Sequence, residues 1–434
     1  MKTISKLALA AVLATGMSAT ALVSPVVAQK NKKDDKSGGL KLTPAVQKPA
    51  GEAQKAIQAN DMATAEAQLA LTEAAAAASA SDDDKYVAAA LRYDFEASKM
   101  RAALAANPNA PIDQTVLIKP LDALIANPKT PAQGRPQYVY RRGTLAFNAR
   151  QYPQAIQYFE QARQLGFADP ELDLQIAKAR LEGSDVRAGL TDLNAIIDKQ
   201  TAAGQKPPES FYRYGIQRAN AAKMGPETMA WLKKWVIAYP TSKNWHDVVF
   251  VFGLQQNPLA KLDNQQQIDM FRLLRASRAL ADQSEYREYA QKVIDRGLPH
   301  EARTVLNEGI AAGKLTATGE AKAMLTDAAT GIRNDTPLPA LETKAKAGAN
   351  GTLASQTGDA YLGQDNFTKA AELYRLALQK GGVNADEVNT RLGIALAKSG
   401  DKAGATAAFA AVKGAPRAEI AALWTTWLEH PPTA

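Results

Sequence analysis

The stretch from Tyr138 to Pro170, YVYRRGTLAFNARQYPQAIQYFEQARQLGFADP, decides how the rest of the chain is read. It divides into a helical run, a polar break at Arg150–Tyr152 and a second helical run that closes at Gly166. Two antiparallel helices approach closely only where the contact residues are small, and Gly143 and Ala155 meet that need. Phe159 and Ala162 follow Ala155 at helical spacing and extend one apolar stripe along the second helix. A hairpin of this kind cannot bury its stripe alone, so it needs stacked neighbours.

Working outward, the small anchor of the first helix recurs. Gly143 is followed by Ala177 after 34 residues, and further along Ala290, Met324, Gly358 and Gly393 follow one another at steps of 34, 34 and 35. Three later copies are well formed. Tyr286, Tyr289, Ala290 and Val293 face Ala302, Leu306 and Gly309. Gly358 and Tyr361 face Ala370, Tyr374 and Ala377, with Phe367 at the turn. Leu392 and Gly393 face Ala405, Phe409 and Val412. In period and small-residue spacing the chain resembles the tetratricopeptide repeat family. The resemblance implies an all-α solenoid of stacked antiparallel helix pairs, a superhelix with a concave groove lined by the first helix of each pair.

Other segments match the pattern with departures. Ala53, Ala65 and Leu69 suggest a first hairpin that breaks at Asn60-Asp61. Tyr86, Ala89, Ala90 and Tyr93 open a longer one behind a Ser81–Asp84 cap, returning near Asp113–Asn127. Tyr212, Ile216, Leu232 and Trp235 make another, and the run through Trp245 and Val251 returns along Asn264–Ala281. Phasing is degenerate near 90–135, 245–281 and 316–347, where Pro337 and Pro339 forbid a continuous helix. The solenoid is expected over 45–415. After it, at 416–434, Ile420, Leu423, Trp424, Trp427 and Leu428 form the stripe of a capping helix. Its other face, with Glu419, Thr426 and Glu429, lacks the lysine or arginine that a membrane-surface helix would need.

The beginning of the chain reads as an address. Lys2 and Lys6, an apolar core at Leu7–Ala14, helix-breaking Gly16 and Pro25, and small residues through Ala28 give a cleavable signal peptide over 1–28. Thr15, Gly16, Ser18 and Thr20 interrupt the core, so it falls short of a spanning helix. The mature protein is expected in the periplasm or secreted, with no transmembrane segment after cleavage. The net charge of +8 is mostly local. Two lysines leave with the leader, and residues 29–48 carry six lysines against two aspartates. Residues 29–44 therefore read as a disordered basic linker, with contact to anionic lipid or cell wall as the alternative. From Pro49 onward little net charge remains, so no nucleic-acid footprint is expected.

Catalytic signals are missing from the sequence. The chain has no cysteine and three histidines, His246, His300 and His430, far apart and in no ligand pair. It carries no nucleophile elbow, phosphate-cradling loop or calcium-loop spacing. Asp82–Asp84 read as helix capping rather than a cation site. No metal and no cofactor are expected. The Arg272, Arg275 and Arg278 stripe reads as a solvated helix face, with an acidic partner as the alternative.

The expected function is that of a non-enzymatic scaffold holding an unidentified protein or peptide in the cell envelope. A helical accessory region acting with a cell-wall glycan enzyme, similar to that of soluble lytic transglycosylases, and a passive spacer are the alternatives. With Gly143 fixing the phase, the resemblance turns Tyr140, Thr144, Phe147 and Asn148 toward the groove. By the same phasing it adds Lys178, and then Arg213, Gln217 and Asn220. The lysine-and-asparagine clamp of some chaperone-binding relatives is not reproduced, since Tyr140 and Thr144 stand where it would begin.

Overall fold

In a computed structural model that describes residues 39–433, the regular structure is helical throughout, with 21 α-helices and no strand among the described residues. The expected leader at 1–28 and most of the linker at 29–44 lie outside the described residues. The chain forms two compact units that part between Lys206 and Pro207.

Unit 1 contains α1 (Pro44–Gln58), α2 (Met62–Ala78), α3 (Asp82–Ala106), α4 (Ile118–Ala126), α5 (Arg135–Asn148), α6 (Tyr152–Gln164), α7 (Glu171–Glu182) and α8 (Val186–Ala202). Unit 2 begins with α9 (Glu209–Ala221), α10 (Gly225–Ala238), α11 (Ser242–Val249), α12 (Asn264–Ala276), α13 (Gln283–Asp295) and α14 (Pro299–Ala311). It continues through α15 (Gly319–Asn334), α16 (Leu338–Ala347), α17 (Thr352–Gly363), α18 (Phe367–Lys380), α19 (Ala385–Ser399), α20 (Lys402–Ala410) and α21 (Arg417–Glu429).

One turn chemistry closes the first helix in hairpin after hairpin. The amide of Gln151 returns to the carbonyl of Ala146, Met224 to Ala219, Asn366 to Tyr361 and Asp401 to Leu396, at 2.8–3.0 Å. The residue just before each of these amides takes a positive φ: Arg150, Lys223, Asp365 and Gly400. The left-handed residue costs a non-glycine side chain about 1 kcal/mol, and the turn offsets this by closing carbonyls that the helix end leaves open. The same turn with Asn60 reverses the chain between α1 and α2, where Ala53, Ala65 and Leu69 are fully buried.

Packing inside the hairpins follows a second rule. Gly143 is the seat of an aromatic ring: a Cβ there would lie 2.7 Å from Cδ1 of Phe159. The arrangement repeats sixteen residues apart, with Gly215 under Trp231, Gly358 under Tyr374 and Gly393 under Phe409. The close approach expected of Gly143 and Ala155 is thus made by Gly143 and the Phe159 ring, with Ala155 buried beside them. Where the first helix carries Ala177 or Ala290 instead, the residue sixteen later is Leu193 or Leu306, both fully buried. A smaller hole takes a smaller knob.

Two expectations fail in unit 2. Met324 is no anchor: it is half-buried, and the buried side chains of α15 and α16 are Ala321, Ala328 and Ala345. These two helices do not make a close hairpin. α15 packs on α14, α16 packs on α17, and α14 and α17 meet each other directly. Asp335–Pro339 lets the chain leave the stack and return, and the 34-residue step there is a coincidence of spacing. At the other end, Thr426 of α21 is buried rather than facing water, because α21 is covered on more than one side. Ile420, Leu423 and Trp424 are fully buried, and α21 touches α10 and α12 as well as α19 and α20.

Candidate binding site

The sequence-selected groove residues divide between the units. In unit 1, Tyr140 is half-buried and stacks on Phe167, with ring centroids 4.5 Å apart, and it leans on Phe159 at 5.5 Å. Burial pushes its phenol up to about 12, helped by Asp169 and Glu171. Thr144 donates its hydroxyl to the Tyr140 carbonyl at 3.2 Å, and Phe147 meets Tyr152 edge-on at 5.6 Å. Asn148 is exposed and donates to Gln114 across 3.2 Å, while Lys178 is half-buried on α7. The aromatic side chains at 140 and 147 therefore serve their own repeat. In unit 2, Arg213, Gln217 and Asn220 are all exposed along one face of α9. The opposite face of that helix is fixed by buried Tyr212, by Gly215 under Trp231 and by Ala219.

A second constellation belongs wholly to unit 2, and it corrects the reading of the Arg272–Arg278 stripe. Arg272 is buried and forked, donating to both oxygens of Glu301 at 2.8 and 2.7 Å and to Asp269 at 2.8 Å. Asp269 is fully buried. Its other oxygen accepts from Arg417 of α21 at 2.7 Å, and Arg391 of α19 approaches at 3.4 Å. Arg391 continues to Asp359 at 2.8 Å and Glu387 at 2.6 Å. Tyr289 and Tyr374 donate to Glu301 and Asp359 at 2.6 and 2.7 Å. Burial acts to raise the Asp269 carboxyl, but Arg391, Arg417 and Arg272 outweigh it and hold it at about 2. A solvated face was expected because arginine seldom enters a core. Here every guanidinium entering it meets a carboxylate.

Beside this network lies a cavity of about 360 Å³. Arg272 and Glu301 line it from the interior, half-buried Phe367 supplies apolar surface, and the buried side chains of Leu362, Ile394 and Trp424 border it. Arg275 spans it, donating twice to Glu308 at 2.8 and 2.6 Å and twice to Asp365 at 3.0 and 2.7 Å. Arg278 and Lys398 line it as well, and both are exposed. Sequence reasoning named Arg272, Arg275 and Arg278 but missed Lys398, Asp365 and Glu308. One signal was available for the network: Arg391 and Arg417 occupy the apolar stripes of their own helices, beside Val388 and Ala395, and Ile420 and Trp424.

These observations settle the architecture. Both units are built as a tetratricopeptide-like α-solenoid. No family model matches the sequence, and no curated protein matches it. Solved structures that align include the pentatricopeptide repeat protein PPR10 from maize, at 15% identity over 85% of this chain and 54% of that one, with a TM-score of 0.29. Naa15/Naa10 bound to HypK-THB aligns at 13% identity over 85% of this chain and 64% of the other, with a TM-score of 0.26. The chain thus spans between half and two thirds of the length of these structures. Superpositions this loose carry nothing about ligands, and the architecture stands on the hairpin packing of the chain itself.

Proposed function

We propose that this protein is an exported, non-enzymatic helical-repeat scaffold that holds a protein or peptide partner in the cell envelope. The observation that carries the reading is the α9 face. Arg213, Gln217 and Asn220 stand exposed in a row on a helix whose orientation is locked from behind by the Gly215–Trp231 contact. A rigid helix presenting a guanidinium and two amides suits the backbone and carboxylate groups of an extended segment. The same reading assigns no chemistry to the buried carboxylates of unit 2, since Asp269, Glu301 and Asp359 are each buried and ion-paired with arginine.

The test is affinity capture from envelope extracts with the mature chain and with an Arg213→Ala, Gln217→Ala, Asn220→Ala variant. Each truncation should weaken a genuine partner by roughly 1 kcal/mol, so the triple variant should lose it. Circular dichroism should be unchanged, because all three side chains are exposed. The same partner recovered equally by both proteins would remove α9 from the site.

A further inference from the structure

We propose that the cavity of unit 2 binds a small monoanionic acid, one carboxylate on an apolar body about the size of an aromatic side chain, with Arg278 and Lys398 as the cations that receive the carboxylate. The first observation is which charges are already committed. Arg275 occupies both oxygens of Glu308 and both oxygens of Asp365. Arg272 is consumed by Glu301 and Asp269. The side chains of Arg278 and Lys398 make no hydrogen bond or ion pair among the described residues, and Lys398 Nζ instead stands 5.7 Å over the Phe367 ring.

Helix ends do not use up these two cations. Lysine and arginine often sit at helix C-termini to meet open carbonyls. Here the ends of α12, α17 and α19 are closed by the chain's own amides: Ala279 to Leu274, Asn366 to Tyr361 and Asp401 to Leu396. Desolvation lowers the Lys398 ammonium, and repulsion from Arg275 and Arg278 acts in the same direction against the attraction of Asp365 and Glu308. An anion arriving between Arg278 and Lys398 would relieve that repulsion.

Charge and size then select the ligand class. The cavity is lined by four cationic side chains and three carboxylates, which leaves one positive charge. Glu308 and Asp365 would repel the second charge of a phosphate dianion, whereas a carboxylate matches the balance. Half-buried Phe367 offers the apolar wall, with the buried side chains of Leu362, Ile394 and Trp424 bordering it, and a space of about 360 Å³ is at the small end of ligand pockets. Either a free organic acid or the C-terminal residue of a peptide presents this chemistry.

Titration calorimetry on the whole chain separates these outcomes, using 3-phenylpropionate, 3-phenylpropionamide, phenyl phosphate and a short peptide ending in phenylalanine with a free or amidated terminus. Phenylpropionate should bind, and its amide should bind at least about tenfold more weakly. Arg278→Gln and Lys398→Gln should each weaken the acid several-fold and leave the melting temperature unchanged, since both side chains are exposed. The free-terminus peptide binding more tightly than phenylpropionate would mark a chain end as the source, and equal affinity would mark a free acid. Equal affinity for acid and amide, tighter binding of phenyl phosphate, indifference to both substitutions, or no binding of any acid at about 1 mM would each overturn the proposal.

Discussion

Placing a methyl group on Gly143 tests the packing rule of the repeats directly. In Gly143→Ala the new Cβ would stand 2.7 and 2.8 Å from two carbons of the Phe159 ring and 3.1 Å from the Tyr158 Cβ. Comfortable carbon contacts lie near 3.5–4.0 Å, so the ring must retreat by close to ~1 Å. Phe159 is fully buried and has nowhere to go. Overpacking of this kind costs about 1–3 kcal/mol, while replacing glycine inside a helix returns about 1 kcal/mol of helix propensity. A net loss of roughly 1 kcal/mol is expected. Gly51 supplies the control within the same unit, because it sits inside α1 with nothing within 4 Å of an added Cβ. Gly51→Ala should therefore stabilise by about 0.5–1 kcal/mol. The gap between the two variants, on the order of 2 kcal/mol, isolates the steric contribution. Urea unfolding followed by circular dichroism measures it. Adding Phe159→Leu to Gly143→Ala should recover part of the loss in a double-mutant cycle. If both alanine variants shift the midpoint in the same direction by the same amount, the seat for Phe159 is not what fixes this hairpin.

Three further expectations concern other parts of the chain. The Asp269 carboxyl is depressed to about 2, so its contribution to unit 2 is whole above the unfolded value near ~4 and is lost as pH falls from there toward 2. Tryptophan fluorescence follows unit 2 alone, since all five tryptophans lie there, and its melting temperature should hold from neutral pH to about 5 and drop below about 4. Asp94 in unit 1 behaves oppositely: burial pushes it up to about 6, so its ionisation weakens the folded state, and Asp94→Asn should stabilise more at pH 7 than at pH 4. Deleting residues 417–434 should expose α12 to hydrogen exchange as well as α19 and α20, because Arg417 and Trp424 contact Asp269; exchange confined to α19 and α20 would reduce α21 to a local cover. Export predicts a mature protein beginning at Gln29 on N-terminal sequencing, and full-length chain found only in the cytoplasm would refute it.

The helices, their pairing and much of their phase could be read from the chain because those features are short-range. Gly143 and Phe159, Gly358 and Tyr374, and Gly393 and Phe409 are sixteen residues apart and lie on consecutive helices, so the hole and its knob are visible in one window. The turn residues were visible as polar breaks for the same reason. The reading failed at Met324, where periodicity alone stood in for packing and the Pro337–Pro339 interruption carried α15 and α16 away from each other. It failed again at Arg272, whose neighbours Ile268, Phe271 and Leu274 already marked that part of α12 as core.

What the chain could not show is which distant charges meet. Arg391 reaches Asp269 across 122 positions and Arg417 across 148, and the partners lie on helices that are not consecutive. A lone arginine on an apolar stripe announces that a buried carboxylate must exist, because an unpaired buried charge would cost several kcal/mol. It does not say which carboxylate. Nor does any local pattern show that Arg275 bridges Glu308 and Asp365, the latter ninety positions away, while Arg278 and Lys398 are left without a hydrogen-bond partner. Short-range periodicity determined the helices and their hairpins. Only the return of α19 and α21 onto α12 decided which arginines are structural and which remain free to meet a ligand.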